Sequence, residues 1–162
     1  MIIRLFEFYK SDNLKPVDIE TAPYPGFKTD WQAMWTVLMT QAHGKSRLSE
    51  YVFEDRFGYV AELKKLGAKI EFIRTPESEY DKFQFNLDPN KKDYFQTIEI
   101  KGPVRFHNGV VKVNDLRAGA CLVIACLACN GESIVDGVDI IERGYPNFDQ
   151  QLRNLGADIV KK

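Results

Sequence analysis

Apolar positions along this chain switch between two periods. Over residues 47–53 (RLSEYVF) and 68–74 (AKIEFIR) they alternate with polar ones, which predicts strands. Between these segments Phe57, Val60, Leu63 and Leu66 recur at three-residue spacing, so a helix is expected over about 56–66, with Gly67 as its stop. An earlier helix is expected from about Trp31 to Ala42. Thr29-x-x-Gln32 would open it as a capping box, and Gly44 would close it in the left-handed C-cap role. Trp31 and Trp35, one helical turn apart, are expected in the core. Further along, the pattern gives a helix at 116–129, a strand at 133–140, a helix at 147–155 and a final strand at 157–160. The opening MIIRLFEFYK reads as a first strand. FQTIEIKGPVRFHNGVVKVND adds short strands, with a hairpin turn around His107-Asn108-Gly109. Residues 75–94, rich in charge, Pro and Asn, read as an exposed and mobile excursion.

The chain also contains one unit twice. T-D-W-Q-A (29–33), H-G-K-S (43–46), F-E-D-R (53–56) and L-K-K-L-G-A-K-I (63–70) recur as N-D-L-R-A (114–118), N-G-E-S (130–133), I-I-E-R (140–143) and L-R-N-L-G-A-D-I (152–159). The expected fold is therefore an α/β protein of two packed β-α-β-α-β-β repeats forming a single partial domain over 1–162. The first unit would cover about 1–74, the excursion 75–94, and the second unit about 95–162.

Composition narrows the function. With 22 basic and 23 acidic residues in 162, and no long basic block, strong nucleic-acid binding is not expected. The longest apolar run, Ala118–Cys129, is 12 residues and cannot span a bilayer, and no signal peptide is visible, so a cytoplasmic chain is expected. Cys121, Cys126 and Cys129 have the C-x4-C-x2-C spacing of an iron–sulfur site. They lack a fourth thiolate and lie in the helical pattern ACLVIACLAC, which favours small apolar core residues. His43 and His107 are expected in solvent.

The repeats place an acid inside each first helix start (Asp30, Asp115), an arginine just past a strand end in each (Arg56, Arg143), and Arg117 two residues after Asp115. Guanidinium groups and helix N-termini converging at strand ends suit an anionic substrate. The same residues could instead serve structure. An aspartate in a first turn stabilises a helix without any function, and Arg56 and Arg143 could pair with Glu54 and Glu142 or with the opposite acids.

The segments PVDIETAPYPGFKTDWQA, VFEDRF, NDLRAGACLVIACLACNGES and IERGYPNFDQQLRNLGADI closely resemble the C-terminal part of the UDP-N-acetylglucosamine enolpyruvyl transferases (EPSP synthase-like enolpyruvyl transferase family). The resemblance covers nearly the whole chain except 75–94. It implies part of an inside-out α/β domain and a cytoplasmic transferase of peptidoglycan biosynthesis. The substrates implied are phosphoenolpyruvate and UDP-N-acetylglucosamine, with no cofactor and no metal. By resemblance, Asp30 contacts the sugar 3′-hydroxyl and is the base that deprotonates it. Val52 contacts the nucleotide sugar, Asp115 and Arg117 surround phosphoenolpyruvate, and Arg143 binds it. Lys28 stands where the family usually has proline. The family's enzyme is implied to have two domains of three such units, so a third of one domain and the whole of the other are missing here, and with them a Lys-Asn pair and a mobile reactive loop. Two readings follow: a C-terminal portion of the transferase that is inactive alone, or a truncated non-catalytic homologue that binds a nucleotide sugar or a partner chain. Apolar helix surface bared by the missing unit would be met by a homodimer or the missing remainder, or covered by 75–94 through Tyr80, Phe83, Phe85 and Leu87.

Overall fold

The computed structural model describes residues 13–161, so the strand expected at the N-terminus lies outside the described residues. Strands β1 (Ile19–Glu20), β2 (Gly44–Ser49), β3 (Lys69–Ile73) and β4 (Thr97–Gly102) form one mixed sheet in the order β1-β2-β4-β3. β1 runs parallel to β2. β4 lies antiparallel between β2 and β3, with Leu48 opposite Ile98 and Ile70 opposite Ile100. A second sheet holds β5 (Val110–Lys112) parallel to β6 (Ile134–Asp136).

Five helices complete the described chain: α1 (Gln32–Met39), α2 (Tyr59–Lys65), α3 (Leu116–Leu127), α4 (Val138–Glu142) and α5 (Phe148–Asn154). From β1 to β4 the order is β-α-β-α-β-β, with Ile19–Glu20, a strand the pattern did not predict, as the first described strand. Helix α3 packs against α1, α2 and α4, and the buried sides of the strands close over the helices, so α1, α2 and α3 lie inside and the sheets outside. Small residues make that approach possible. A Cβ added at Gly119 would fall 2.6 Å from Ile141 Cγ1 and 2.8 Å from Val113 Cγ1. An apolar helix with small side chains on most of its surface can be surrounded by neighbours without voids.

Several local expectations change. The capping box does not form, because Thr29 and Gln32 turn their side chains elsewhere. α1 follows a 3-10 turn (Thr29–Trp31) and ends at Met39. That tighter turn swings Trp31 outward, to 55% exposure, edge-on to Phe27, while Trp35 packs against the core. Gly44 is not a C-cap but the first residue of β2 at φ +144°, where an added Cβ would meet Pro16 Cγ at 2.9 Å. β6 is shorter than expected because Gly137, at φ +87°, turns the chain into α4. No hairpin forms at His107, which instead makes a parallel bridge with Asn130. Thr97–Gly102, expected to belong to a second unit, completes the first sheet. Residues 157–160 pair with no strand among the described residues.

The excursion 75–94 joins β3 to β4 and carries a 3-10 turn at Glu77–Lys82. Its Phe83 stacks with Tyr51, Tyr80, Phe85 and Tyr94, so it covers the end of the first sheet and not α3. The three cysteines sit along α3 and just past its end. Cys121 Sγ donates to the Ala118 carbonyl at 3.0 Å, and burial pushes its thiol up to about 12 and that of Cys126 up to about 11. Such thiols stay protonated near neutrality and are poor nucleophiles. No helix among the described residues is long and apolar enough to cross a membrane.

Glu62 joins the two sheets' supports. Its Oε2 accepts from the Lys112 backbone N–H of β5 at 2.9 Å, and both its oxygens accept from Lys65 Nζ at 2.8 Å. Burial pushes this carboxyl up, but the Lys65 ammonium and the Lys112 N–H outweigh it and hold the group below the usual glutamate range. A carboxyl lowered on folding stabilises the fold above its unfolded value and loses that contribution as pH falls through its folded value. Acidification through and below the ordinary glutamate range should therefore weaken the α2–β5 contact. Urea unfolding of Glu62→Gln should show a shallower loss of stability between pH 5 and pH 3 than the parent; parallel profiles would contradict this role.

Candidate functional site

The start of α1 meets the start of α3 at a cleft of about 270 Å³ whose lining includes Asp30, Arg56, Tyr59, Lys112, Asp115 and Arg117. Because α1 packs on α3, residues far apart in sequence arrive on facing walls. Asp115 is the N-cap of α3, one residue outside the helix where the first turn was expected to hold it. Its Oδ1 accepts from the backbone N–H groups of Arg117 at 2.9 Å and Ala118 at 3.1 Å. That is the structural use of an aspartate at a helix start. Asp30 does not cap its helix. Its carboxylate points across the cleft and pairs with Arg117 Nε, both side chains being about half exposed. Arg117 Nη1 also lies 3.9 Å from Asp115 Oδ2. The cleft thus holds one guanidinium shared by two carboxylates, with Lys112 and Arg56 on its walls.

Arg56 is half-buried, with its guanidinium 4.5 Å from the centre of the Phe53 ring, and it makes no ion pair among the described residues. Glu54 and Glu142, offered by sequence as arginine partners, pair with Lys91 and Lys161 instead. Arg143 is exposed at the C-cap of α4, and Val52 is half-buried in the turn after β2; neither lines the cleft. His43 and His107 are exposed.

Glu50 is the residue that sequence reasoning missed. It is fully buried one position past β2, and five donors reach its carboxylate. Oε1 accepts from Thr21 Oγ1 at 2.8 Å and from the N–H groups of Val52 at 2.8 Å and Phe53 at 3.0 Å. Oε2 accepts from Thr29 Oγ1 at 2.7 Å and Gln32 Nε2 at 2.5 Å. Gln32 then passes the network on, since its Oε1 accepts from Tyr59 Oη at 3.2 Å, and Tyr59 Oη lies 2.9 Å from Thr36 Oγ1. Burial raises the Tyr59 phenol well above its ordinary value, so it remains a neutral donor. Asp30 lies between two residues anchored on Glu50, and Val52 hangs from the same carboxylate. A sign of this was available in the strand pattern, where Glu50 falls on the same side of the alternation as Ser46 and Leu48, both buried.

Removing this acceptor takes a partner from five donors, of which Thr21 Oγ1 and Gln32 Nε2 bond to it in buried surroundings, at about 1–3 kcal/mol per buried group left unsatisfied. Glu50→Ala should therefore cost about 3 kcal/mol or more. Glu50→Gln, which sets an NH2 group against donors, should cost about 1–2 kcal/mol. Urea midpoints at unchanged m-value measure both; a change under about 0.5 kcal/mol for Glu50→Ala would show that Glu50 does not organise this region.

Comparison with known proteins adds to this geometry. The family model for EPSP synthase (3-phosphoshikimate 1-carboxyvinyltransferase) matches residues 3–152. The UDP-N-acetylglucosamine 1-carboxyvinyltransferase of Chlorobium limicola is 40% identical over 151 residues, 93% of this chain and 31% of that protein. The protein of the same name from Endomicrobium trichonymphae is 42% identical over 147 residues, 91% of this chain and 30% of its own length. Among solved structures, the enolpyruvyl transferase NikO from Streptomyces tendae superposes with a TM-score of 0.73 at 28% identity, covering 92% of this chain and 30% of that one. The chain thus spans about 30% of the length of the relatives it matches.

Proposed function

This chain belongs to the EPSP synthase family, and from that premise we propose that it is the C-terminal portion of an enolpyruvyl transferase acting on UDP-N-acetylglucosamine and phosphoenolpyruvate, inactive by itself. The observation that carries this reading is Asp30, freed from helix capping and held opposite Arg117. The reaction is addition followed by elimination. The sugar 3′-oxygen bonds to C2 of phosphoenolpyruvate while C3 takes a proton. The C2–O bond to phosphate then breaks and C3 gives a proton back, so that inorganic phosphate leaves and the enol ether remains. Asp30 takes the hydroxyl proton. Arg117 holds the anionic groups of phosphoenolpyruvate beside Asp115, and Arg143 and Val52 complete contacts outside the cleft as it stands in this chain. Peptidoglycan biosynthesis is the place this substrate pair gives the reaction.

The Asp30–Arg117 pair sets how substrate enters. An incoming phosphate or carboxylate must take the guanidinium from Asp30, which frees that carboxylate for the hydroxyl. Since both groups are half exposed, the pair is worth about 1 kcal/mol or less. Asp30→Asn should therefore tighten binding of phosphoenolpyruvate up to about fivefold, and Arg117→Ala should weaken it at least tenfold. Calorimetry at two ionic strengths measures this, with weak, salt-sensitive binding expected of the parent chain. A dissociation constant unmoved by Arg117→Ala would overturn the assignment. In an assay with both substrates, phosphate release by the chain alone should match the no-enzyme control; steady turnover would refute its inactivity.

A further inference from the structure

The excursion 75–94 is tied along its length to the elements it crosses. Gln84 N donates to the Tyr51 carbonyl at 2.7 Å, and the Phe83 ring lies 5.5 Å from that of Tyr51. Lys82 pairs with Glu20 at 2.9 Å. At the far end Tyr94 is buried; Thr75 N donates to its carbonyl at 2.7 Å and Asp88 N to its hydroxyl at 2.6 Å. The Lys91 ammonium stands 4.7 Å from the centre of the Tyr94 ring and pairs with Glu54, in the loop after β2, at 2.8 Å. Its neighbour Lys92 is exposed.

Glu54 belongs to the cleft. With Asp30, Asp55 and Asp115 it gives the lining four carboxylates, against Arg56, Lys112 and Arg117. Arg117 is already shared by Asp30 and Asp115. Arg56, two residues from Glu54, rests on the Phe53 ring and makes no ion pair among the described residues. Lys91 does not line the cleft; it takes the Glu54 carboxylate from outside. The hydrogen bond to Glu54 pushes the Lys91 ammonium up against a small desolvation, and the Asp55 charge adds to the rise. The loop itself is set from two sides. Val52 and Phe53 donate to Glu50, and Asp55 takes φ +56°, a left-handed turn that few residues other than glycine adopt.

We propose that the excursion is a positioning strap for the cleft and that Lys91 is its acting residue: by holding Glu54 it keeps that carboxylate from pairing with Arg56 and from opposing an anionic substrate. The inference rests on the reading of the cleft as a phosphoenolpyruvate site, and it adds a residue that touches no substrate. The physical basis is competition. Glu54 has Arg56 on its own loop and Lys91 on the strap, and it can satisfy only one of them at full strength. A carboxylate turned to Arg56 would occupy a guanidinium and repel an incoming phosphate or carboxylate group. Because the Lys91–Glu54 pair is partly exposed, it tunes affinity and does not decide the fold. Residues 75–94 are the stretch that the family resemblance leaves out, so Lys91 is an addition to the residues that the resemblance implies.

The test compares the parent chain with Lys91→Ala, Glu54→Gln, the two combined, and Lys92→Ala, which removes the same charge from the same segment. Titrated calorimetrically with phosphoenolpyruvate, Lys91→Ala should bind about threefold to fivefold more weakly than the parent, the scale of one exposed ion pair. Glu54→Gln should bind at least as tightly as the parent, and the combined variant should return to within about twofold of it, since Lys91 has no task once Glu54 is neutral. Lys92→Ala should leave binding unchanged. Without ligand, the Nε–H resonance of Arg56 in the isotopically labelled chain should move in Lys91→Ala, as Glu54 turns to it, and stay in place in the combined variant. An Arg56 resonance unmoved by Lys91→Ala would overturn the inference. So would equal weakening by Lys92→Ala, which would reduce the effect to net charge, or a combined variant as weak as Lys91→Ala, which would leave the contact a purely structural one. The Arg56 resonance is read without substrate, so it holds or fails apart from the effect of Arg117→Ala on phosphoenolpyruvate binding.

Discussion

Glu50 is a buried carboxylate with no cation beside it among the described residues, so it finds its partners among neutral groups and collects five of them from three parts of the chain. Thr21 brings in the end of β1, Thr29 and Gln32 bring in the start of α1, and Val52 and Phe53 bring in the turn that follows β2. The buried donors among them, Thr21 and Gln32, would be costly to leave unpaired. The sheet edge, the helix entry and the loop after β2 are therefore fixed to one another by a single side chain. Asp30 inherits its position from that arrangement: it is exposed and free of capping duty, but Thr29 before it and Gln32 two residues after it are both tied to Glu50.

The second requirement is that α3 be thin. α1 can bring Asp30 against Arg117, 87 residues away in sequence, only because α3 offers Ala118, Gly119, Cys121 and Ala125 to its neighbours. A helix with larger side chains there would push α1 and α4 outward and open the cleft. Sequence composition along one helix thus sets a distance between two polar groups that are not on the same wall.

Much of this was legible in the sequence. Local periodicity located α2, β3, α3 and α5, because each carries its own apolar face and its own stop, such as Gly67. What failed were features decided by tertiary partners. Thr29 and Gln32 have the spacing of a capping box, but a buried acceptor lies within reach and draws both side chains toward itself, away from the helix's own N–H groups. Gly44 looks like a helix stop, yet it is needed where β2 passes close to Pro16. Residues 157–160 have strand character without a strand to pair with among the described residues. Of the site residues, the repeat and the family resemblance led to Asp30, Asp115 and Arg117, which do meet. Val52 and Arg143 lie away from the cleft in this chain, and Lys112 joins it unannounced, since a polar residue on a three-residue strand carries no distinguishing pattern.

The cleft divides its work between a rigid half and an adaptable half. The rigid half is the Glu50–Gln32–Tyr59 network, buried and composed of hydrogen bonds that strengthen in low dielectric. The adaptable half is Arg117 with its two carboxylates, solvated enough that its pairing is weak and can be exchanged for an anion. Reversing the two would fail: a buried Arg117–Asp30 pair would cost too much to open, and an exposed Glu50 would leave the Asp30 segment without a fixed position. Binding an anion here requires only the exposed pair to rearrange, so the groups that place Asp30 need not move when the charge on the opposite wall is taken up.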